Sequence, residues 1–151
     1  GTGLHTGVMA HLTLKPATPG FGFQFQRVDL PDQPIIKADC DLVTDVSRGT
    51  TLESNGAKVS TVEHILAALV GLGVDNLLIE LNGPEIPIMD GSAASFLFLI
   101  ESAGIVEQDA PRQFVVIKKP VEVRDGDKLA RLEPFFGFKL LDKFRFPLYT
   151  S

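Results

Sequence analysis

The sequence predicts an α+β domain, a mostly antiparallel or mixed sheet with two helices packed on one face and a small β-ribbon insert. Three observations carry that expectation. Short segments in which apolar and polar residues alternate run through the amino-terminal half of the chain. Two longer segments repeat their apolar residues at helical spacing instead. Asn55-Gly56 and Asp125-Gly126 mark tight turns between strand-like runs.

Taken in order, residues 8–14 set Val8, Ala10, Leu12 and Leu14 on one side and Met9, His11 and Thr13 on the other, the pattern of a half-buried strand. Residues 16–20 read as a loop. Phe21, Phe23 and Phe25 then alternate with Gly22, Gln24 and Gln26, so a second strand carries an aromatic face. Residues 35–51 are less regular, with strand-like pieces at 41–46 and 50–53. The ribbon is expected to turn at Asn55-Gly56, because both residues accept a positive φ. A helix pattern fills residues 61–71, and the Gly71-Leu-Gly73 connection leads into a strand over 74–81. Asn82-Gly-Pro-Glu-Ile-Pro87 is rich in turn formers. A second helix is expected from about Ser92 to Ala103, closed by Gly104. Residues 114–117 and 121–124 are strand-like, Asp125-Gly126 turns, and residues 128–132 return.

With 151 residues, 44% of them hydrophobic and 22% charged, the chain suits one domain with its own core. A net charge of −5 and a pI near 5.1, without a dense Lys/Arg block, leave no electrostatic footprint for phosphate backbones. Nucleic acid is therefore not an expected partner. Cys40 is the only cysteine, so no internal disulfide can form, and a reducing compartment such as the cytoplasm is the simpler expectation. Apolar runs such as Phe96 to Ile100 are far shorter than the roughly 20 residues that span a bilayer. No membrane span is expected. The opening Gly1-Thr-Gly-Leu-His-Thr-Gly7 has neither the basic start nor the apolar stretch of a signal peptide, and its start inside a glycine-rich loop points to a missing natural start.

Placed on a wheel at about 100° per residue, the first helix sets Val62, Ile65, Leu66 and Leu69 on one face. Opposite them lie His64, Ala67, Ala68 and Gly71. That face holds one histidine among small residues, which let another element approach closely. An imidazole at a helix start, with the Glu63 carboxylate beside it, is what a shared metal or catalytic site needs. Two plainer readings stay open. Ser60 and Glu63 fit the capping box, in which each side chain satisfies the other's backbone N–H. A lone histidine is also more often structural than a ligand, and Glu63-His64 is not the two-histidine HExxH arrangement. Of the other histidines, His11 lies on the polar side of its strand and reads as solvent-facing. His5 sits in a glycine loop that permits close approach by another group, so it suits a structural role or a contact with substrate equally. The loop's spacing is neither GxGxxG nor GxxxxGK, so no nucleotide loop is supported.

Gly3-Leu-His-Thr-Gly7, Ser60-Thr-Val-Glu-His64, Gly71-Leu-Gly-Val-Asp-Asn76 and Pro84-Glu-Ile-Pro-Ile-Met-Asp-Gly-Ser-Ala93 stand in the order and spacing typical of UDP-3-O-acyl-N-acetylglucosamine deacetylases. The chain resembles the amino-terminal domain of that zinc-dependent family of lipid A biosynthesis over residues 1–140. Residues 141–151 follow the pattern poorly, where the family's second, similar domain begins. The resemblance implies that His64 is a Zn2+ ligand and Glu63 the general base, with Leu4 and His5 lining the cavity near the metal. It also implies that the remaining ligands, a His and an Asp, come from the second domain, which is expected to be absent here together with the acyl-chain passage inserted in it. On that reading the complete protein removes acetate from UDP-3-O-acyl-N-acetylglucosamine and this chain alone is inactive. Asp90, just before the second helix, suits a helix cap by its residue type. The competing expectation is a non-catalytic binding or assembly domain that shares the fold; a nucleic-acid module is disfavoured by the acidity.

Overall fold

The computed structural model describes residues 1–141. They fall into two compact units, Gly1–Pro111 and a second that starts at Arg112. Beyond Leu141, the segment expected to diverge lies outside the described residues.

In chain order the first unit runs β1 (Leu12–Pro16), β2 (Phe23–Arg27), β3 (Ile35–Lys37), a 3-10 turn at Cys40–Leu42, β4 (Val43–Asp45), β5 (Thr51–Ser54), β6 (Ala57–Val59), α1 (Glu63–Gly71), β7 (Leu77–Leu81) and α2 (Ala94–Ala103). Four strands form a mixed sheet in the order β1-β7-β2-β3. β7 is antiparallel to β1 and parallel to β2, and β3 is antiparallel to β2. Parallel neighbours need a crossover connection, and α1 lies within the one between β2 and β7. The register places Leu14, Ile79, Phe25 and Ile36 side by side across all four strands. Phe25, Ile79 and Ile36 in that row are fully buried, in one core with Ile65 and Leu69 of α1 and Phe96 and Ile100 of α2. The sheet thus presents one apolar face to both helices, as its alternation predicts.

Phe25 is the aromatic centre of that row. Its replacement by Ala deletes a buried ring and leaves a cavity, so unfolding free energy is expected to fall by about 3–5 kcal/mol in denaturant titration. A loss below about 1 kcal/mol would place the core elsewhere.

β4, β5 and β6 make a second, three-stranded antiparallel sheet, the expected ribbon. Its turn is at Asn55-Gly56, with φ of 53° and 74°. Leu52, Ala57 and Val59 tie it to the same core.

Several boundaries shift for local reasons. Residues 8–11 do not pair with the main sheet: Met9 makes only an isolated bridge to Thr2. α1 starts at Glu63 rather than at residue 61, because Thr61 has a φ of 61° and a left-handed residue cannot continue a right-handed helix. β7 starts at Leu77 rather than at residue 74. The N–H groups of Leu72, Gly73 and Val74 turn back to carbonyls of α1 and delay the strand. α2 starts two positions later than expected and ends before Gly104, whose φ is 87°.

The second unit holds an antiparallel hairpin of β8 (Val121–Asp125) and β9 (Lys128–Leu132). Asp125 faces Lys128 across its two-residue turn. Residues 114–117 form no strand, against expectation: they have no strand partner among the described residues, and Phe114, Val115 and Val116 are exposed. No helix among the described residues is long and apolar enough to cross a membrane.

Candidate functional site

The site is built where α1 begins. Val62 occupies the N-cap position and no side chain caps the helix, so the capping box of Ser60 and Glu63 does not form. Ser60 is committed elsewhere. Its N–H donates to Pro84 O at 2.9 Å, its carbonyl accepts from Ile86 N at 3.0 Å, and its hydroxyl accepts from Thr51 Oγ1 at 3.1 Å. The left-handed turn at Thr61 separates this extended stretch from the helix. Glu63 is thereby free to bond across to a loop: its Oε2 accepts the Thr50 N–H at 2.8 Å.

His64 follows on the same first turn and is half-buried. Its ring has no hydrogen-bond or ion-pair partner among the described residues. Beside it on the wheel Ala67 and Gly71 are exposed, but Ala68, expected on the same face, is buried in the core. Ala68 sits at the edge of that face, next to the apolar side, and joins the core cluster. The one group of three metal-capable side chains among the described residues, Asp39, Cys40 and Asp41, is exposed and does not include His64. Asp39 there caps the short 3-10 turn by accepting from Asp41 N.

A cleft of about 280 Å³ opens beside the Thr61 turn, lined by His5, Thr6, Arg48, Gly49, Thr61 and Glu85, while Glu63 and His64 themselves do not line it. His5 Nε2 lies 2.9 Å from Arg48 O, a contact that requires the ring proton on Nε2. Thus His5 and Glu63 bracket one short segment, His5 at Arg48 and Glu63 at Thr50. Leu4 is exposed and does not line the cleft, and His11 is exposed away from it.

At the cleft floor Glu85 is 1% exposed. Its Oε1 accepts from His5 N at 3.0 Å and Thr61 Oγ1 at 3.1 Å; its Oε2 accepts from Thr6 N and Thr6 Oγ1, both at 2.8 Å. Burial alone pushes the carboxyl up. The His5 and Thr6 N–H groups and the two threonine hydroxyls outweigh it and hold Glu85 below its usual range. A Cβ on Gly3 would stand 2.4 Å from Glu85 Oε2, so the loop needs glycine there to close over the carboxylate.

The family model for UDP-3-O-acyl N-acetylglycosamine deacetylase (LpxC) matches residues 1–150. The chain belongs to that family. It is a domain of the deacetylases of lipid A biosynthesis, and the match runs past residue 140, where the sequence motifs fade. In the family-typical block that ends at Ala93, Asp90 does not cap α2. It accepts from Ser92 N at 3.1 Å and Ser92 Oγ at 3.0 Å, and the Ser92 hydroxyl in turn accepts the Ala94 N–H. Glu85 and Thr61 were not singled out by sequence reasoning. The only signal for Glu85 is an acid set in the apolar, proline-flanked Pro84-Glu-Ile-Pro-Ile88, and none marks the left-handed backbone of Thr61.

Proposed function

We propose that this domain serves a zinc hydrolase that removes acetate from UDP-3-O-acyl-N-acetylglucosamine in the cytoplasm, with Glu63 as general base and His64 as one metal ligand. The observation that carries the proposal is the start of α1, where an imidazole with no hydrogen-bond or ion-pair partner among the described residues stands next to a carboxylate fixed by a backbone N–H. A free imidazole nitrogen is a good zinc donor, and His64 suits that role. One donor does not make a site. The proposal therefore takes the other ligands, a His and an Asp, from a second domain of similar topology, and the 151-residue chain alone is inactive.

Zinc, when bound, supplies an acidified water and a Lewis-acidic centre for the acetamide carbonyl. The chain's own groups do the rest. Glu63 has Oε2 tied to Thr50 N–H, which orients its carboxyl to take a proton from the attacking water and return one to the leaving amine. His5, held through Nε2, keeps Nδ1 for the substrate in the cleft. Leu4 offers an exposed apolar contact.

Stripping metal from the full-length protein with a chelator is expected to cut acetate release by more than about 100-fold, and zinc to restore it. Turnover by the 151-residue chain on its own, or full activity after metal removal, would defeat the reading.

A further inference from the structure

Glu85 has no part in the roles assigned above, yet it is the most deeply buried carboxylate of the first unit and every group that touches it donates. We propose that Glu85 is a positioning residue: its carboxylate clamps the His5–Thr6 wall of the cleft to the Thr61 turn that aims Glu63. The inference rests on Glu63 being the base. Its geometric half stands apart from that.

A buried carboxylate persists only when hydrogen bonds replace its water. Here the replacements come from two segments far apart in sequence, His5 and Thr6 on one side and Thr61 on the other. Simple tethering does not need the side chain. Ile88 N donates to Thr2 O at 3.0 Å and Ser60 N to Pro84 O at 2.9 Å, so the backbone of residues 84–88 already joins both segments. The carboxylate adds two finer constraints. It fixes the tip of the loop that carries His5, and it holds the hydroxyl of Thr61 in a turn that a β-branched residue avoids, with φ of 61°. Strain of that kind survives only where the surroundings over-determine it. Two residues after Thr61 comes Glu63, whose bond to Thr50 depends on the direction in which the turn launches α1.

The donor pattern also dictates the residue type. Threonine hydroxyls can rotate, but the N–H groups of His5 and Thr6 cannot, so an amide NH2 in place of either oxygen meets a fixed donor. Asp is one methylene shorter and cannot reach both sides.

In the full-length protein at a temperature where circular dichroism shows it folded, Glu85→Gln is expected to raise KM and lower kcat, each by about tenfold, since a misplacement near 1 Å costs up to about 100-fold. Adding Thr61→Gly should return most of kcat and leave KM raised, because glycine adopts the left-handed turn unaided while the His5 loop stays loose. Single removals should split the effect: Thr61→Val lowers kcat with KM kept, and Thr6→Val raises KM with kcat kept. These single variants carry the test if Glu85→Gln fails to fold. Independently of activity, the amide resonances of His5 and Thr6 should shift in isotope-labelled Glu85→Gln protein. Wild-type KM and kcat in a folded Glu85→Gln variant, or in both valine variants, overturn the proposal, as do unmoved amides. Amides that move in a protein whose Glu63→Gln variant stays active leave the clamp standing and sink the base assignment instead.

Discussion

Glu63→Gln in the full-length protein is expected to lower kcat by about 10²–10⁴-fold, the range that loss of a general base costs, with zinc content unchanged. Glutamine is the informative substitution because Glu63 has two separable tasks. Its Oε2 accepts the Thr50 N–H at 2.8 Å, and an amide oxygen can go on accepting that bond. The loop at residues 48–50 then stays in place, and with it the Arg48 carbonyl that receives His5. What the amide cannot do is take a proton from water. Ala would remove both tasks at once and confuse a shifted loop with a lost base. Zinc content by metal analysis and kcat from acetate release measure the two consequences separately. Retained turnover with a full complement of zinc would show that the proton goes elsewhere and would favour a binding domain that only shares the fold.

Much of this arrangement can be read from the sequence because it depends on local patterns. Alternation at Phe23 and Phe25 and the apolar spacing of Ile65 and Leu69 are periodic signals, and each ends in the core the period predicts. Asn55-Gly56 fixes its turn through backbone preference alone. The misses share a cause: they are set by contacts between segments distant in sequence. Ser60-Thr-Val-Glu63 has the spacing of a capping box, but pairing of Ser60 with residues 84–86 claims the serine first. Residues 114–117 have the composition of a strand and no strand partner among the described residues. Glu85 is the clearest case. Its burial and its donors arise only when residues 3–6, 61 and 85 meet, and no window along the chain contains all three. The placement of Glu63 and His64 side by side was legible from their adjacency, while the bond that orients Glu63 was not, because Thr50 lies thirteen positions earlier.

His64→Ala should separate metal binding from folding. The ring is half-buried and has no hydrogen-bond or ion-pair partner among the described residues, so its removal strands no donor and opens no closed cavity. The metal-free variant is expected to unfold within about 1 kcal/mol of the metal-free parent, the usual range for a site outside the core. Zinc should tell the two apart. Loss of an outer partner of a metal ligand costs about 10–100-fold in affinity, and loss of the ligand itself should exceed that. A metal that binds only the folded state raises Tm by an amount that grows with the logarithm of its affinity, so zinc is expected to lift the Tm of the full-length parent and to lift that of His64→Ala far less. Competition with a chromophoric chelator gives the affinity directly. Equal zinc affinity in parent and variant would remove His64 from the coordination shell, and with it the reason for a carboxylate to stand one residue away.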